Sequence, residues 1–316
     1  MKAGLDVKFA VFGTGGIGGF LGAALARSGQ DVFFVARGKH LDAMRKNGLS
    51  IQSVSLGNFR VKAKATEKPS DIGVVDVVLF CVKSYDTEAT LQEIGPLIGQ
   101  NTVVVSFQNG IDSEDRIGEA LGKGHVLAGA IAVESYIAEP GKIVQSAGPW
   151  MITVGEMDGS VTPRVNSIRD AFVSAGLKCE VSAAIREVLW QKFLFITPTA
   201  GVCSVSRSSI GEVLGFQPTR ELYVASMKEI EAVARAAGVK LAADATTKTL
   251  EQVGEVNKST KPSMLRDLER GKRLEVDALS GAVSRLGREL HVPTPVNDFL
   301  YASLKLQDSK NGQAVL

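Results

Sequence analysis

The chain has 316 residues, 45% hydrophobic and 22% charged, the make-up of an ordinary globular protein. At roughly 100–200 residues per domain, this length predicts about two domains. Lys plus Arg number 36 and Asp plus Glu 34, a net charge of +2. That balance argues against nucleic-acid binding through a broad basic face and against a polybasic membrane anchor. Three scattered cysteines and three isolated histidines make neither a disulfide framework nor a metal-ligand spacing, so no metal is expected. The start, Met1-Lys2-Ala3-Gly4-Leu5-Asp6, lacks the apolar stretch of a signal peptide. No apolar run reaches the ~18 residues of a membrane span. The expected compartment is a reducing cytoplasm.

The first half alternates short apolar runs with helical stretches. Val7–Phe12, Asp31–Val35, Val75–Cys81 and Thr102–Ser106 read as buried strands, and Phe20–Arg27 and Thr87–Ile98 as helices between them. Continuous apolar strands separated by helices indicate parallel βαβ units with both sheet faces covered. His125–Ala132, Lys142–Gln145 and Trp150–Val154 fit extra strands closing that sheet. After about Ser182 the strands stop. Amphipathic helices are expected at 183–197, 208–216, 219–237, 241–256, 263–287 and 294–307, with Gly238 and Pro262 as turn signals. The fold class is therefore α/β. A Rossmann-type dinucleotide-binding domain at 1–181 precedes an all-helical domain at 182–316, and a ligand cleft is expected where they join.

The first strand runs directly into Gly13-Thr14-Gly15-Gly16-Ile17-Gly18, a G-x-G-x-x-G motif in its required place. The first glycine makes the turn, the second admits a pyrophosphate, and the third lets helix pack on strand. The phosphates then meet the N–H groups and dipole of the helix N-terminus. The bland alternative is a glycine-rich turn that binds nothing. The end of the second strand distinguishes the dinucleotides. An NAD-binding chain usually carries an acid there for the ribose 2′-OH. This one reads Val35-Ala36-Arg37-Gly38-Lys39. A guanidinium pairs with a phosphate that a carboxylate would repel. NADP(H) is therefore expected, with Arg37 the main 2′-phosphate contact and Lys39 a weaker one, against the alternative of a solvated basic turn. Lys83, and Gln108-Asn109-Gly110, follow two further strand ends facing the same crevice. Each is also readable as a solvated lysine or a plain turn.

Two charges interrupt apolar stripes. Lys192 lies on the stripe of Ile185, Val188, Leu189 and Ile196. Burial would lower its pKa and suit it to protonate a developing alkoxide. Otherwise it snorkels out past Trp190 or Phe193. Glu275 falls on the stripe of Met264, Leu268, Leu279, Ala282 and Leu286, where a carboxylate needs a donor. Lys192 or a hydroxylated ligand could be that donor, or the carboxylate pairs within its helix with Lys272. Ser263 opens this helix twelve residues before Glu275, about 18 Å away on a straight helix. Both reach one small ligand only if the helix breaks, and Gly271 permits that.

Taken in order, these elements resemble the ketopantoate reductase (2-dehydropantoate 2-reductase) family over nearly the whole chain. The resemblance rests on the glycine loop, Ala36-Arg37, Val82-Lys83, Gln108-Asn109-Gly110, Leu189-Trp190-Gln191-Lys192, Gly211-Glu212, Ser263-Met264-Leu265-Arg266-Asp267 and Glu275-Val276-Asp277. It implies NADPH-dependent reduction of a short 2-oxo acid. It implies Lys192 as general acid for the keto oxygen and Glu275 as the acid that binds the substrate hydroxyl. It further implies Asn109 near nicotinamide and substrate, Ser263 holding substrate, Lys83 beside the cofactor and Arg37 selecting NADP. There is one departure. The best-known members carry asparagines four and eight residues after the lysine, and this chain has Ile196 and Ala200 there. Each missing hydrogen bond is worth roughly 1 kcal/mol, so a more apolar 2-oxo acid or ketone competes with 2-dehydropantoate as the expected substrate. A cofactor-binding sensor without catalysis is the rival class. The expected partner is this small molecule, with no nucleic acid and no membrane, and exposed helical faces leave room for a homodimer.

Overall fold

The computed structural model describes residues 7–148 and 151–313. In chain order the first half runs β1 (Lys8–Phe12), α1 (Gly16–Arg27), β2 (Asp31–Val35), α2 (Gly38–Asn47), β3 (Leu49–Ser53), β4 (Phe59–Val61), β5 (Lys64–Thr66), β6 (Val77–Phe80), α3 (Thr87–Glu93), β7 (Val103–Ser106), α4 (Ser113–Leu121) and β8 (Val126–Ile131). There follow β9 (Glu134–Glu139), β10 (Lys142–Ala147), β11 (Ile152–Glu156), α5 (Pro163–Ser174) and β12 (Cys179–Val181). The helices α6 (Ile185–Ser206), α7 (Ile210–Gly215), α8 (Gln217–Ala236), α9 (Ala245–Gly254), α10 (Ser263–Glu269), α11 (Ser280–Glu289) and α12 (Pro295–Gln313) complete it. The chain divides into two compact units. One comprises residues up to Gln108 with Asp112–Ile185, and the other Asn109–Ile111 with the chain from Arg186 onward.

The main sheet of the first unit has the order β12-β11-β8-β7-β6-β1-β2-β5. Its strands from β8 to β5 are parallel, β11 runs antiparallel to β8, and β12 is parallel to β11. The order reverses at β1, so the carboxyl ends of β1 and β6 flank the switch point where such sheets bind ligands. Period-2 alternation explains the double covering. Phe9, Val11, Leu79 and Val105 enter one core with Phe20, Leu21 and Phe172. Ala10, Phe12, Phe80 and Val104 enter a second on the opposite face, with Ile94, Leu97 and Ile117.

Several elements differ from the sequence reading. Lys142–Gln145 does not close the main sheet. It lies in β10 of a separate sheet, β4-β3-β10-β9, whose other strands are too short or too polar to stand out. The strand expected from Trp150 begins at Ile152, and Trp150 itself lies outside the described residues. The helix expected over Thr87–Ile98 stops at Glu93, and Gly95–Leu97 forms a tighter turn around Pro96, because proline removes a helical donor. The helix expected at 183–197 instead continues to Ser206 through Pro198. Beside that proline, Phe195 O accepts the Thr199 hydroxyl at 2.7 Å, and that hydroxyl lies 2.8 Å from Tyr223 Oη. By length and composition α6 is apolar enough to cross a membrane, but most of it is buried.

The second unit buries one core. Tyr223, Met227, Ile230 and Val233 supply one face of α8 to it, at helical spacing. Glu229 on the same helix accepts the amides of Val296 and Asn297 at 2.8 and 2.9 Å, so a carboxylate caps the N-terminus of α12. The helix expected over 263–287 is two, α10 and α11. Gly271 at φ +64°, with Lys272 N–H donating to Asp267 O and Gly271 N–H to Leu268 O, ends α10 in a Schellman motif. Glu275 therefore lies between helices and not on a helical stripe.

Candidate active site

The glycine loop assigns each glycine a different task. A Cβ on Gly13, whose φ is +96°, would stand 2.6 Å from Val82 N and 2.7 Å from Cys81 C, so the loop crosses the end of β6 at backbone contact. A Cβ on Gly18 would stand 2.3 Å from Gly13 O, which is the close helix–strand packing expected of the third glycine. Gly16 is spoken for as well: its Cβ would meet Ser135 O of β9, whose hydroxyl donates to Gly16 O at 2.9 Å. Around a Gly15 Cβ, by contrast, nothing lies within 4 Å. Thr14 pins the loop to the end of β2, its hydroxyl donating to Val35 O at 2.9 Å. No side chain caps α1 at Gly15, so the first-turn N–H groups form a cradle at an unobstructed glycine. That is the shape a pyrophosphate fits. Ile17 is half-buried in the same turn.

Arg37 follows β2 as the N-cap residue of α2 and is exposed, and Lys39 is exposed one step further. Lys83 follows β6, half-buried, and opens a short turn at Ser84–Asp86. Buried Gln108 ties this end of β6 to β7: its amide donates to Val82 O at 3.0 Å and to Thr87 Oγ1 at 2.9 Å. The carboxyl ends of neighbouring strands β2, β1 and β6 thus bring Arg37, the glycine loop and Lys83 to one edge of the first unit.

Asn109, Lys192, Ser263 and Glu275 belong to the second unit. Lys192 is half-buried on α6. Its surroundings are fixed: Trp190 and Phe193 pack edge to face at 5.6 Å, and Gln191 Nε2 donates to Thr249 Oγ1 at 2.5 Å. Ile196 and Ala200, one and two turns on, pack with the helical core. Ser263 is exposed at the start of α10. Glu275 is only 6% exposed. The segment around it is held by α12: Asn311 donates to Lys272 O at 2.8 Å, Leu274 N–H donates to Asp308 Oδ1 at 2.7 Å, and Asp277 accepts from Tyr301 and Lys305 at 3.1 and 2.6 Å. These four α12 residues, spaced three or four apart, share one helix face. The helix break that Ser263 and Glu275 require is thus present and braced.

Family models described as "Ketopantoate reductase PanE/ApbA" and "Ketopantoate reductase PanE/ApbA C terminal" match residues 9–159 and 184–308. The chain belongs to the ketopantoate reductase family. It is an NADP-dependent oxidoreductase acting on a CH–OH group. A 2-dehydropantoate 2-reductase of Mesorhizobium japonicum is 32% identical to it, over 95% of this chain and 97% of that protein. A PanE/ApbA family ketopantoate reductase structure from Ralstonia eutropha JMP134 is 30% identical with a TM-score of 0.89, covering 96% of this chain and 99% of that one. The fold is also that of a D-mandelate dehydrogenase solved with NADH and anilino(oxo)acetate, 21% identical with a TM-score of 0.87, over 96% of this chain and 99% of that one.

Two features of this reductase escaped the sequence reading. Glu93 at the end of α3 pairs with Arg37 at 2.6 Å, a contact 56 positions apart that no local pattern signals. Asp308 and Asn311 lie beyond the helix expected at 294–307, on the continuation of α12 to Gln313, and only the break after Gly271 gives them backbone to hold.

Proposed function

We propose that this reductase transfers hydride from NADPH to the keto carbon of 2-dehydropantoate, giving pantoate, a step of pantothenate biosynthesis carried out in the cytoplasm. The near full-length likeness to a relative named 2-dehydropantoate 2-reductase carries this reading. Bound NADPH supplies the hydride from nicotinamide C4. The chain supplies the rest. The amides at the start of α1 and the open side of Gly15 hold the pyrophosphate, Arg37 takes the 2′-phosphate and Lys83 stands by the cofactor. On the helical unit, Lys192 donates a proton to the keto oxygen as negative charge develops there. Glu275 accepts the substrate hydroxyl, and Ser263 and Asn109 help to orient the substrate. A carboxylate this buried has little rotamer freedom to lose on binding, which favours orientation over raw affinity.

A second reading is favoured by one observation. Half-buried Ile196 offers hydrocarbon and no side-chain hydrogen-bond partner, and Ala200 one turn on is buried in the helical core. A bulkier or more apolar 2-oxo acid would gain from that wall what 2-dehydropantoate loses. NADPH oxidation followed at 340 nm with 2-dehydropantoate beside branched and aromatic 2-oxo acids decides between them. The first reading requires the highest kcat/KM for 2-dehydropantoate; a higher value for an apolar acid establishes the second. Tight NADPH binding with no oxidation by any carbonyl would refute both.

A further inference from the structure

We propose that Glu93 sets how strongly this reductase prefers the phosphorylated dinucleotide, by competing with the 2′-phosphate for the Arg37 guanidinium. The inference rests on the assignment of Arg37 as the 2′-phosphate contact. Arg37 Nη2 lies 2.6 Å from Glu93 Oε2, and the two side chains are 60% and 44% exposed. Both groups are therefore open to a ligand and neither is locked in the core. Dinucleotide folds that take the unphosphorylated ribose usually carry an acid at the end of the second strand. Here that position holds Arg37, and a carboxylate reaches the guanidinium from the end of α3 instead. The site thus presents a cation and an anion together.

The two ligands meet this pair differently. A 2′-phosphate carries about −1.5 to −2 charges. It pairs with a guanidinium more strongly than a single carboxylate does. To do so it must displace Glu93 or share Arg37 with it, and it feels the like charge in either case. The ribose 2′-OH of NADH is neutral and leaves the ion pair intact. Glu93 therefore weakens NADPH binding selectively. Because the pair is exposed, added salt screens the effect.

The test measures NADPH and NADH dissociation constants by calorimetric titration for the wild type, Glu93→Gln and Arg37→Ala, at low and high ionic strength. Glu93→Gln keeps the side-chain shape at an exposed position, so the protein folds as before. It should tighten NADPH by about five- to tenfold at low salt, leave NADH within about twofold, and show a smaller effect at high salt. Arg37→Ala should weaken NADPH far more than NADH. If Arg37→Ala is selective but Glu93→Gln tightens NADPH by less than about threefold, or weakens it, Glu93 merely orients the guanidinium and the proposal is overturned alone. If Arg37→Ala weakens both dinucleotides equally, the assignment of Arg37 fails and takes the proposal with it.

Discussion

Replacing Gly15 and Gly18 with alanine, one at a time, separates ligand binding from folding within a single loop. At Gly15 the backbone is extended, with φ −85°, and the added methyl has nothing within 4 Å. Loss of chain entropy in the unfolded state favours alanine by about 0.4–1 kcal/mol. Alanine is the poorer N-cap by a similar amount, roughly 0.5 kcal/mol or more, so the two nearly cancel. The thermal midpoint of Gly15→Ala should stay within about 2 °C of wild type. If the pyrophosphate sits at this glycine as proposed, the methyl enters its space, and losing one charge-assisted amide contact should cost about 1.5–3 kcal/mol, or roughly ten- to 150-fold in NADPH affinity. Gly18→Ala should do the reverse. Its methyl would stand 2.3 Å from Gly13 O, a backbone atom that cannot swing aside. Overpacking of this kind costs about 1–3 kcal/mol or more, which at about 2–4 °C per kcal/mol lowers the midpoint by roughly 2–12 °C. Differential scanning calorimetry and calorimetric titration with NADPH read both quantities on the same samples. Wild-type NADPH affinity in Gly15→Ala would refute the cradle, and equal thermal losses in the two variants would refute the division of labour.

Lys192→Ala should lower kcat by about 10²–10⁴ while NADPH affinity stays within about threefold; turnover near wild type would remove Lys192 from the chemistry. Asp308→Ala removes the carboxylate that holds the buried Leu274 N–H at 2.7 Å. It should raise KM for the 2-oxo acid with little change in NADPH affinity, whereas Asp308→Asn keeps an acceptor and should restore most of KM; identical KM in both variants would break the link from Asp308 to Glu275. In the capping box of α7, the Ser209 hydroxyl and amide hold the Glu212 carboxyl below its ordinary value of 4.5. A folded pKa below the unfolded one stabilises fully above the unfolded value and is lost as pH falls through the folded value. Ser209→Ala should therefore be less stable than wild type in urea at pH 7, with the gap narrowing toward pH 3; a gap that stays constant or widens would show that the carboxylate plays no part.

The parts of this fold legible in the sequence are those governed by local pattern. The Val7–Phe12 run, the glycine loop after it and the missing acid after β2 lie within thirty residues of one another, and each follows from a short-range rule. Strand β9 escaped because most of it is exposed at the edge of a small sheet, so no apolar alternation marks it. Its backbone nonetheless explains Gly16, which looks like a spare glycine until Ser135 O is seen against it. The 263–287 stretch misled for a related reason. Its apolar residues keep helical spacing across a break because the last turn of α10 and the start of α11 both bury Leu268, Leu279 and Ala282 in one core. Periodicity reports which residues are buried, not whether the hydrogen-bond ladder between them is continuous.

That distinction bears on how a carboxylate comes to be buried in this reductase. On an unbroken helix, the Glu275 side chain would project into hydrocarbon with its backbone amides already committed to the helix, and desolvation would favour its neutral form. The break changes the balance. Gly271 ends α10, and the freed polar groups of the following segment find partners on α12 in Asn311 and Asp308. The neighbouring Asp277 takes Lys305 as its counter-ion. The cost of leaving regular structure is thus met by side chains from a helix that starts at Pro295, itself capped by Glu229 from α8. Two helices distant in sequence, α12 directly and α8 through its cap on α12, fix the backbone of the short segment that carries Glu275. If Glu275 orients the substrate as proposed, that arrangement serves it, because a displacement of about 1 Å can cost as much as 10²-fold in rate.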